Sequence, residues 1–197
     1  MIPKQNANVL KAFRLHYLAA KIVSVKTILD GQQLQLTIRR LAHQIAENHT
    51  DMESTGVIGL QPRGIAFSNR LVNVLENIFP RINYGKLDIT FYRDDVRKQL
   101  RIANKTDIRF SMENKKVVLV DDVLYTGRTI RAALDALLDF GRPAKVELCT
   151  LIDRRFGREF PIQPDYAGKT IDTIFSQKVK VRWQEADGHD EVVLLDS

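Results

Sequence analysis

The chain has 197 residues, of which 44% are hydrophobic and 27% charged, an ordinary globular composition with enough length to bury one core. No apolar run approaches the ~20 residues that span a bilayer, and Cys149, the only cysteine, excludes an intrachain disulfide and a Cys-x-x-Cys zinc site. A cytoplasmic, reducing setting is therefore expected, and the net charge of +6 favours phosphate-bearing partners without choosing among nucleic acid, phosphorylated substrates and anionic lipid.

The first 29 residues hold no Asp or Glu but carry Lys4, Lys11, Arg14, Lys21 and Lys26. Acid-poor, basic N-termini occur in organelle targeting. Lys21 interrupts the apolar stretch 18–25, which argues against a secretory signal. Residues 1–26 are read as a helical N-terminal extension and 27–197 as the domain.

In chain order, Leu34, Ile38, Leu41 and Ile45 have helical spacing, which predicts an amphipathic helix over 33–48. TGVIGL (55–60) reads as a short buried strand, and Ile65, Leu71, Val74, Leu75 and Ile78 give 63–79 a helical apolar face. Residues 86–92 alternate, with Leu87, Ile89 and Phe91 on one side and Asp88, Thr90 and Tyr92 on the other, as a strand does. Residues 93–115 have no clear period and are longer than ordinary connections, which predicts a lid or flexible arm. KKVVLV (115–120) reads as a strand, and 129–140 as a helix closed by Gly141. A strand over 144–153, a turn-rich stretch over 154–170 and short strands near 178–183 and 191–195 complete the chain. Alternating strands and helices imply a mostly parallel sheet with helices on both faces.

The stretch VVLVDDVLYTGRT (117–129) carries the chemistry. Asp121 and Asp122 stand at the carboxyl end of a strand, where such sheets bind ligands. The segment that follows opens a helix, whose unpaired N–H groups and dipole favour an anion. Gly127 lets the backbone approach that anion closely, and Thr126 and Thr129 add hydroxyl donors. The carboxylates beside it suit vicinal hydroxyls, so the combined target is a sugar phosphate. Neither G-x-x-x-x-G-K-[ST] nor G-x-G-x-x-G after a strand occurs.

This stretch resembles the phosphoribosyl pyrophosphate (PRPP) signature of type I phosphoribosyltransferases. RRLAHQI (39–45), LDITFYRDD (87–95), LDFGRPAKVEL (138–148) and REFPIQPDYAGK (158–169) further resemble the PyrR family. Those proteins regulate bacterial pyrimidine operons by binding mRNA and often act as uracil phosphoribosyltransferases. The resemblance covers about residues 27–197. It implies an α/β fold with a mostly parallel central sheet flanked by helices, a small hood and a flexible lid loop. It also implies attack of a base nitrogen on C1 of PRPP, with pyrophosphate leaving.

PRPP would lie on Asp121, Asp122, Val123, Leu124, Tyr125, Thr126, Gly127, Arg128 and Thr129, with pyrophosphate on the loop Gln61, Pro62, Arg63 and Gly64. Pro62 offers no backbone donor, so neighbouring amides must form that cradle. Asp121, Asp122, Arg63 and Arg93 are the candidate catalytic residues. Arg97, Lys98, Arg101, Lys105 and Arg109 are read as solvated charge. Magnesium would arrive with PRPP and meet Asp121 or Asp122 directly or through water. The base would lie near Asp153 and Arg154, and no residue is needed as a dedicated general base.

Three readings stand: a uracil transferase making UMP, an RNA-binding attenuator of a pyrimidine operon that senses nucleotide in the same pocket, and a salvage enzyme for another base. Arg40, His43, Arg158 and Lys169 match the family's RNA face. Arg39 stands where the family often has Thr, Gln163 replaces an Arg, and DRRFGREF (153–160) replaces a DRGHREL-like stretch, losing its His and gaining a residue. A homo-oligomer, dimer or higher, is expected, with no membrane partner.

Overall fold

The structure, a computed structural model, describes residues 25–92 and 105–196. Strands β2 (Thr55–Gln61), β3 (Asn83–Asp88), β4 (Lys116–Leu124), β5 (Lys145–Arg155) and β6 (Tyr166–Asp172) form a five-stranded, wholly parallel sheet in the order β3-β2-β4-β5-β6. Strands β1 (Val25–Leu29), β7 (Lys178–Arg182) and β8 (Glu191–Leu195) form a separate antiparallel sheet, β1-β8-β7, the small hood. Helices α1 (Gly31–Asn48), α2 (Gly64–Leu75) and α3 (Arg128–Leu137) flank the central sheet, and a short α4 (Gln184–Asp187) belongs to the hood connection.

Helix α1 starts on a reciprocal cap: the Asp30 carboxylate accepts from Gln33 N (2.8 Å), and the Gln33 side chain accepts from Asp30 N (3.2 Å). Its Leu34, Ile38, Leu41 and Ile45 are buried with Phe67 and Leu71 of α2 against one face of the sheet. Helix α3 buries Ile130, Ala133 and Leu137 on the other face, with Leu60, Leu87 and Leu119. Removing each large side chain from water contributes about 1.5–3 kcal/mol. With helices on both faces, β2 is apolar along nearly its whole length rather than alternating.

From β2 the chain passes outward to β3, then returns to lay β4, β5 and β6 on the opposite side. The order reverses between β2 and β4, so a crevice opens at the carboxyl ends of those two strands.

Several boundaries differ from the sequence reading. The strand placed at 86–92 is Asn83–Asp88, held by its parallel register with β2 from Gly56↔Asn83 to Gln61↔Asp88. Asp88 ends it by accepting from Thr90 N (2.9 Å) and Thr90 Oγ1 (2.6 Å), which turns 90–92 into a 3-10 turn. Helix α2 stops at Leu75, short of the expected residue 79. Strand β4 runs through Asp121 and Asp122 to Leu124, so the two carboxylates lie within the strand end. The stretch 154–170 contains the end of β5 and the start of edge strand β6. Val25 and Lys26, assigned to the extension, pair with Leu195 and Leu194 in the hood.

Arg93, Arg97, Lys98 and Arg101 lie outside the described residues. The remainder of the expected lid, 105–115, is anchored to the sheet. Asp107 bridges Lys86 through N–H···O bonds of 2.9 Å in both directions, and Met112 is fully buried.

Candidate active site

The expected pyrophosphate loop and the carboxylate pair meet at the reversal of strand order. β2 ends in Gln61, the Gln61–Pro62 peptide bond is cis, and Arg63 leads into α2 at Gly64. Gly64 packs directly on β4: a Cβ there would stand 2.5 Å from Val120 O, 3.2 Å from Asp121 Cα and 3.4 Å from Asp121 Oδ1. Only glycine admits this approach without displacing the loop. The Gln61 side-chain amide donates to Lys105 O (2.8 Å), tying the loop to the segment that returns after residue 104.

Asp121 and Asp122 are both buried. Asp122 N donates to Asp121 Oδ1 (3.1 Å). Burial raises the Asp122 carboxyl above the usual carboxylate range, opposed by the Arg63 guanidinium charge and by backbone N–H donors. The Arg63 guanidinium charge is thus felt at Asp122 across the reversal of strand order. A buried carboxylate of this kind gains from donors such as ribose hydroxyls.

Beyond Val123, Leu124 and Tyr125 the chain turns at Thr126 and Gly127 into α3. Gly127 is left-handed (φ 88°, ψ −4°), a conformation that L side chains rarely adopt. Arg131 N makes the first helical bond, to Gly127 O (2.9 Å), so the amides of Thr129 and Ile130 precede the first bond of the helix ladder. Arg128 N donates to Thr126 Oγ1 (3.4 Å), which places that hydroxyl at the same opening with its own proton free to donate. The turn has the donor geometry for a phosphate monoester.

The end of β5 forms the third side. Arg154 is buried, with its guanidinium 3.7 Å from the Tyr125 ring centroid, and it donates to Thr173 Oγ1 (3.0 Å) and Gln177 O (2.9 Å). Burial lowers its pKa, with the neighbouring Tyr125 opposing the shift. The Asp153 carboxylate accepts from Arg158. Both expected base-region residues thus stand beside the turn at Tyr125–Gly127, with their side chains engaged in its walls.

The four expected RNA contacts do not form one cluster of contacts. Arg40 donates to Gly168 O (2.5 Å) and Ala167 O (3.3 Å), His43 is exposed on α1, and Lys169 donates to Ile28 O (2.9 Å), so these three border the α1–β6 edge. Arg158 instead donates to Tyr125 O, Arg154 O (3.1 Å), Ile162 O (2.9 Å) and Asp153 Oδ1. Sequence reasoning missed these bonds, because three of the four acceptors are backbone carbonyls, which no residue type signals, and the fourth, the Asp153 carboxylate, comes within reach only as the chain after β5 folds back.

Residues 24–186 match the family model described as the phosphoribosyl transferase domain. A protein of Desulfosudis oleivorans named bifunctional protein PyrR is 48% identical over 85% of this chain and 94% of its own. A protein of the same name from Deinococcus radiodurans is 45% identical over 86% of this chain and 94% of its own. Among solved structures, a hypoxanthine phosphoribosyltransferase of Trypanosoma cruzi superposes with a TM-score of 0.67 at 19% identity, covering 89% of this chain and 93% of that one. A Leishmania tarentolae enzyme solved with GMP gives 0.65 at 18% identity over 87% and 96%. At these identities the superpositions establish the shared fold.

Proposed function

We propose that this chain, which belongs to the phosphoribosyltransferase domain family and within it to the PyrR group, transfers the 5-phosphoribosyl group of PRPP to uracil, giving UMP and pyrophosphate. The observation that carries this reading is the contact of Gly64 with Val120 and Asp121, which brings an anion loop and a carboxylate pair to one crevice.

In this reading the turn Thr126–Thr129 holds the 5′-phosphate, and Asp121 and Asp122 accept the ribose 2′- and 3′-hydroxyls. Gln61, Arg63 and the Gly64 amide meet the pyrophosphate. Arg63 stabilises the negative charge that grows on pyrophosphate as C1 becomes oxocarbenium-like. Uracil attacks C1 from the β5 side, near Asp153 and the Arg154–Tyr125 stack, and releases its proton late.

No group of three or more metal-binding side chains exists among the described residues. Two adjacent carboxylates nevertheless fit magnesium, which binds through one or two carboxylates and substrate phosphates rather than an all-protein cage. Asp121 and Asp122 would hold it directly or through water, and bound magnesium would neutralise charge on the leaving group.

The test is the double substitution Asp121→Asn, Asp122→Asn. Amides keep the shape but lose the charged acceptors. Transferase activity should vanish while the melting temperature stays or rises, and unchanged turnover would sink the assignment.

A second reading, RNA binding, is favoured by the Arg40, His43 and Lys169 border of α1 and β6 together with the net charge of +6. Pyrimidine-operon leader RNA is the proposed partner. Arg40→Ala with Lys169→Ala should weaken binding and flatten its salt dependence, since fewer phosphate contacts release fewer counterions. Wild-type binding no tighter than to an unrelated RNA of equal length removes this function.

The cytoplasm is the proposed compartment; no helix among the described residues is long and apolar enough to cross a membrane. A homo-oligomer is proposed from the neighbouring exposed side chains Phe91 (84% exposed) and Leu138 (64%), where Tyr92 bonds Asp139, and light scattering tests it.

A further inference from the structure

We propose that Arg158 is a positioning residue that braces the phosphate turn from behind, rather than a contact to nucleic acid. The inference rests on the phosphoribosyl reading of that turn.

The loop after β5 closes on the turn through several bonds. Arg158 spreads its guanidinium over four acceptors: Tyr125 O in the turn, Arg154 O at the end of β5, Ile162 O further along the loop, and the Asp153 carboxylate. Its side chain is only 22% exposed. Two amides of the same loop, Glu159 N (2.9 Å) and Phe160 N (3.2 Å), donate to Thr126 O, and Glu159 pairs with Arg128 (2.6 Å from Nε). The carbonyls of Tyr125 and Thr126 are thus held from outside. Their amide planes set the direction of the N–H groups that follow them in the turn. A planar, five-donor guanidinium suits this task, because it fixes several acceptors at once.

The departure of DRRFGREF from the family pattern has its physical reason in the same place. A Cβ on Gly157 would collide with the Tyr125 ring, so the family's histidine has no room beside Arg158. Phe156 takes a left-handed backbone (φ 65°) and turns outward, 81% exposed. With Phe156 turned out, Arg158 sits under the turn with its side chain mostly covered. An Arg whose donors already have internal carbonyl and carboxylate acceptors would have to give them up to meet an RNA phosphate.

The test compares wild type with Arg158→Met and Arg158→Lys, and uses Arg155→Ala, at the exposed end of β5, as a control. Calorimetry with UMP should show at least about tenfold weaker binding for Arg158→Met, since charge-assisted bonds to the turn are lost. KM for PRPP should rise more than KM for uracil. Arg158→Lys should recover part of the affinity, and Arg155→Ala should match wild type. Hydrogen exchange on the ligand-free proteins should show faster exchange at residues 126–131 in Arg158→Met. Affinity for leader RNA without nucleotide should not change. UMP affinity within twofold of wild type, with unchanged exchange and a loss of RNA affinity, overturns the proposal and returns Arg158 to the RNA face. If Arg158→Met shows no cooperative melt, Arg158→Lys decides: affinity and exchange equal to wild type overturn the proposal. If wild type itself binds neither UMP nor PRPP, the transferase reading fails, and the exchange comparison still decides the brace.

Discussion

Gly64 and Val120 meet backbone to backbone across the point where strand order reverses: a Cβ on Gly64 would stand 2.5 Å from Val120 O. That contact sets the separation between the loop 61–64, proposed to hold pyrophosphate, and the carboxylate pair. Gly64→Ala must push the loop away from Asp121. We expect kcat/KM for PRPP to fall at least about tenfold, with a melting temperature lower by a few degrees. Steady-state kinetics with varied PRPP checks this, and an alanine variant with wild-type kinetics contradicts it.

Thr126→Val removes a hydroxyl at the mouth of the turn and leaves Gly127 and the helix backbone in place. Loss of a bond to a charged phosphate costs about 1.5–3 kcal/mol. UMP affinity should fall by at least about tenfold, with little change in stability. Calorimetry giving the wild-type affinity would exclude the hydroxyl from the phosphate site.

Glu147 makes a prediction at the opposite end of the sheet. Burial alone would raise its carboxyl pKa, but bonds from Lys145 (2.6 Å), Tyr166 (2.7 Å) and His49 (2.7 Å) overrule it and hold the group at about 2, below its ordinary 4.5. A depressed folded-state pKa contributes stability above the unfolded value and loses it as pH falls through the folded value. Wild-type stability should therefore decline between about pH 5 and pH 2, and Glu147→Gln should be less stable at neutral pH with a flatter acid limb. Urea denaturation at a series of pH values tests this; parallel acid limbs in the two proteins would contradict it.

Arg70 ties α2 to the hood. It pairs with Asp190 through two bonds (2.6 and 2.9 Å), reaches Glu185 (2.9 Å), and stacks on Trp183 at 4.8 Å. Arg70→Met should destabilise the fold by about 2 kcal/mol, because a bidentate, half-buried pair is broken and Asp190 keeps its charge. Chemical denaturation measures it, and a variant as stable as wild type would make the tether dispensable.

The parts of this fold that were legible in the sequence are those whose signal is contiguous. Strand β4 and the turn into α3 occupy one short stretch, and α1 carries its apolar spacing within its own residues. The missed strands depend on remote partners. β1 exposes its first three residues and exists through pairs such as Val25↔Leu195. β6 is an edge strand with few buried residues, so it reads as turn. The alternation over 86–92 was real as a pattern, but the strand's register is set by β2, and Asp88 ends it early. Arg158 was assigned by its place in a motif, whereas its bonds depend on how the loop after β5 folds back on Tyr125.

The most direct test of the account is pyrophosphate release from PRPP and magnesium by the wild-type protein, measured with uracil and with cytosine, hypoxanthine, guanine and adenine in parallel. Release should depend on uracil, with UMP formed in equal amount and no comparable rate with the other bases. Release that depends on a purine instead would make the protein a salvage enzyme for that base, and no base-dependent release at all would contradict the transferase function itself.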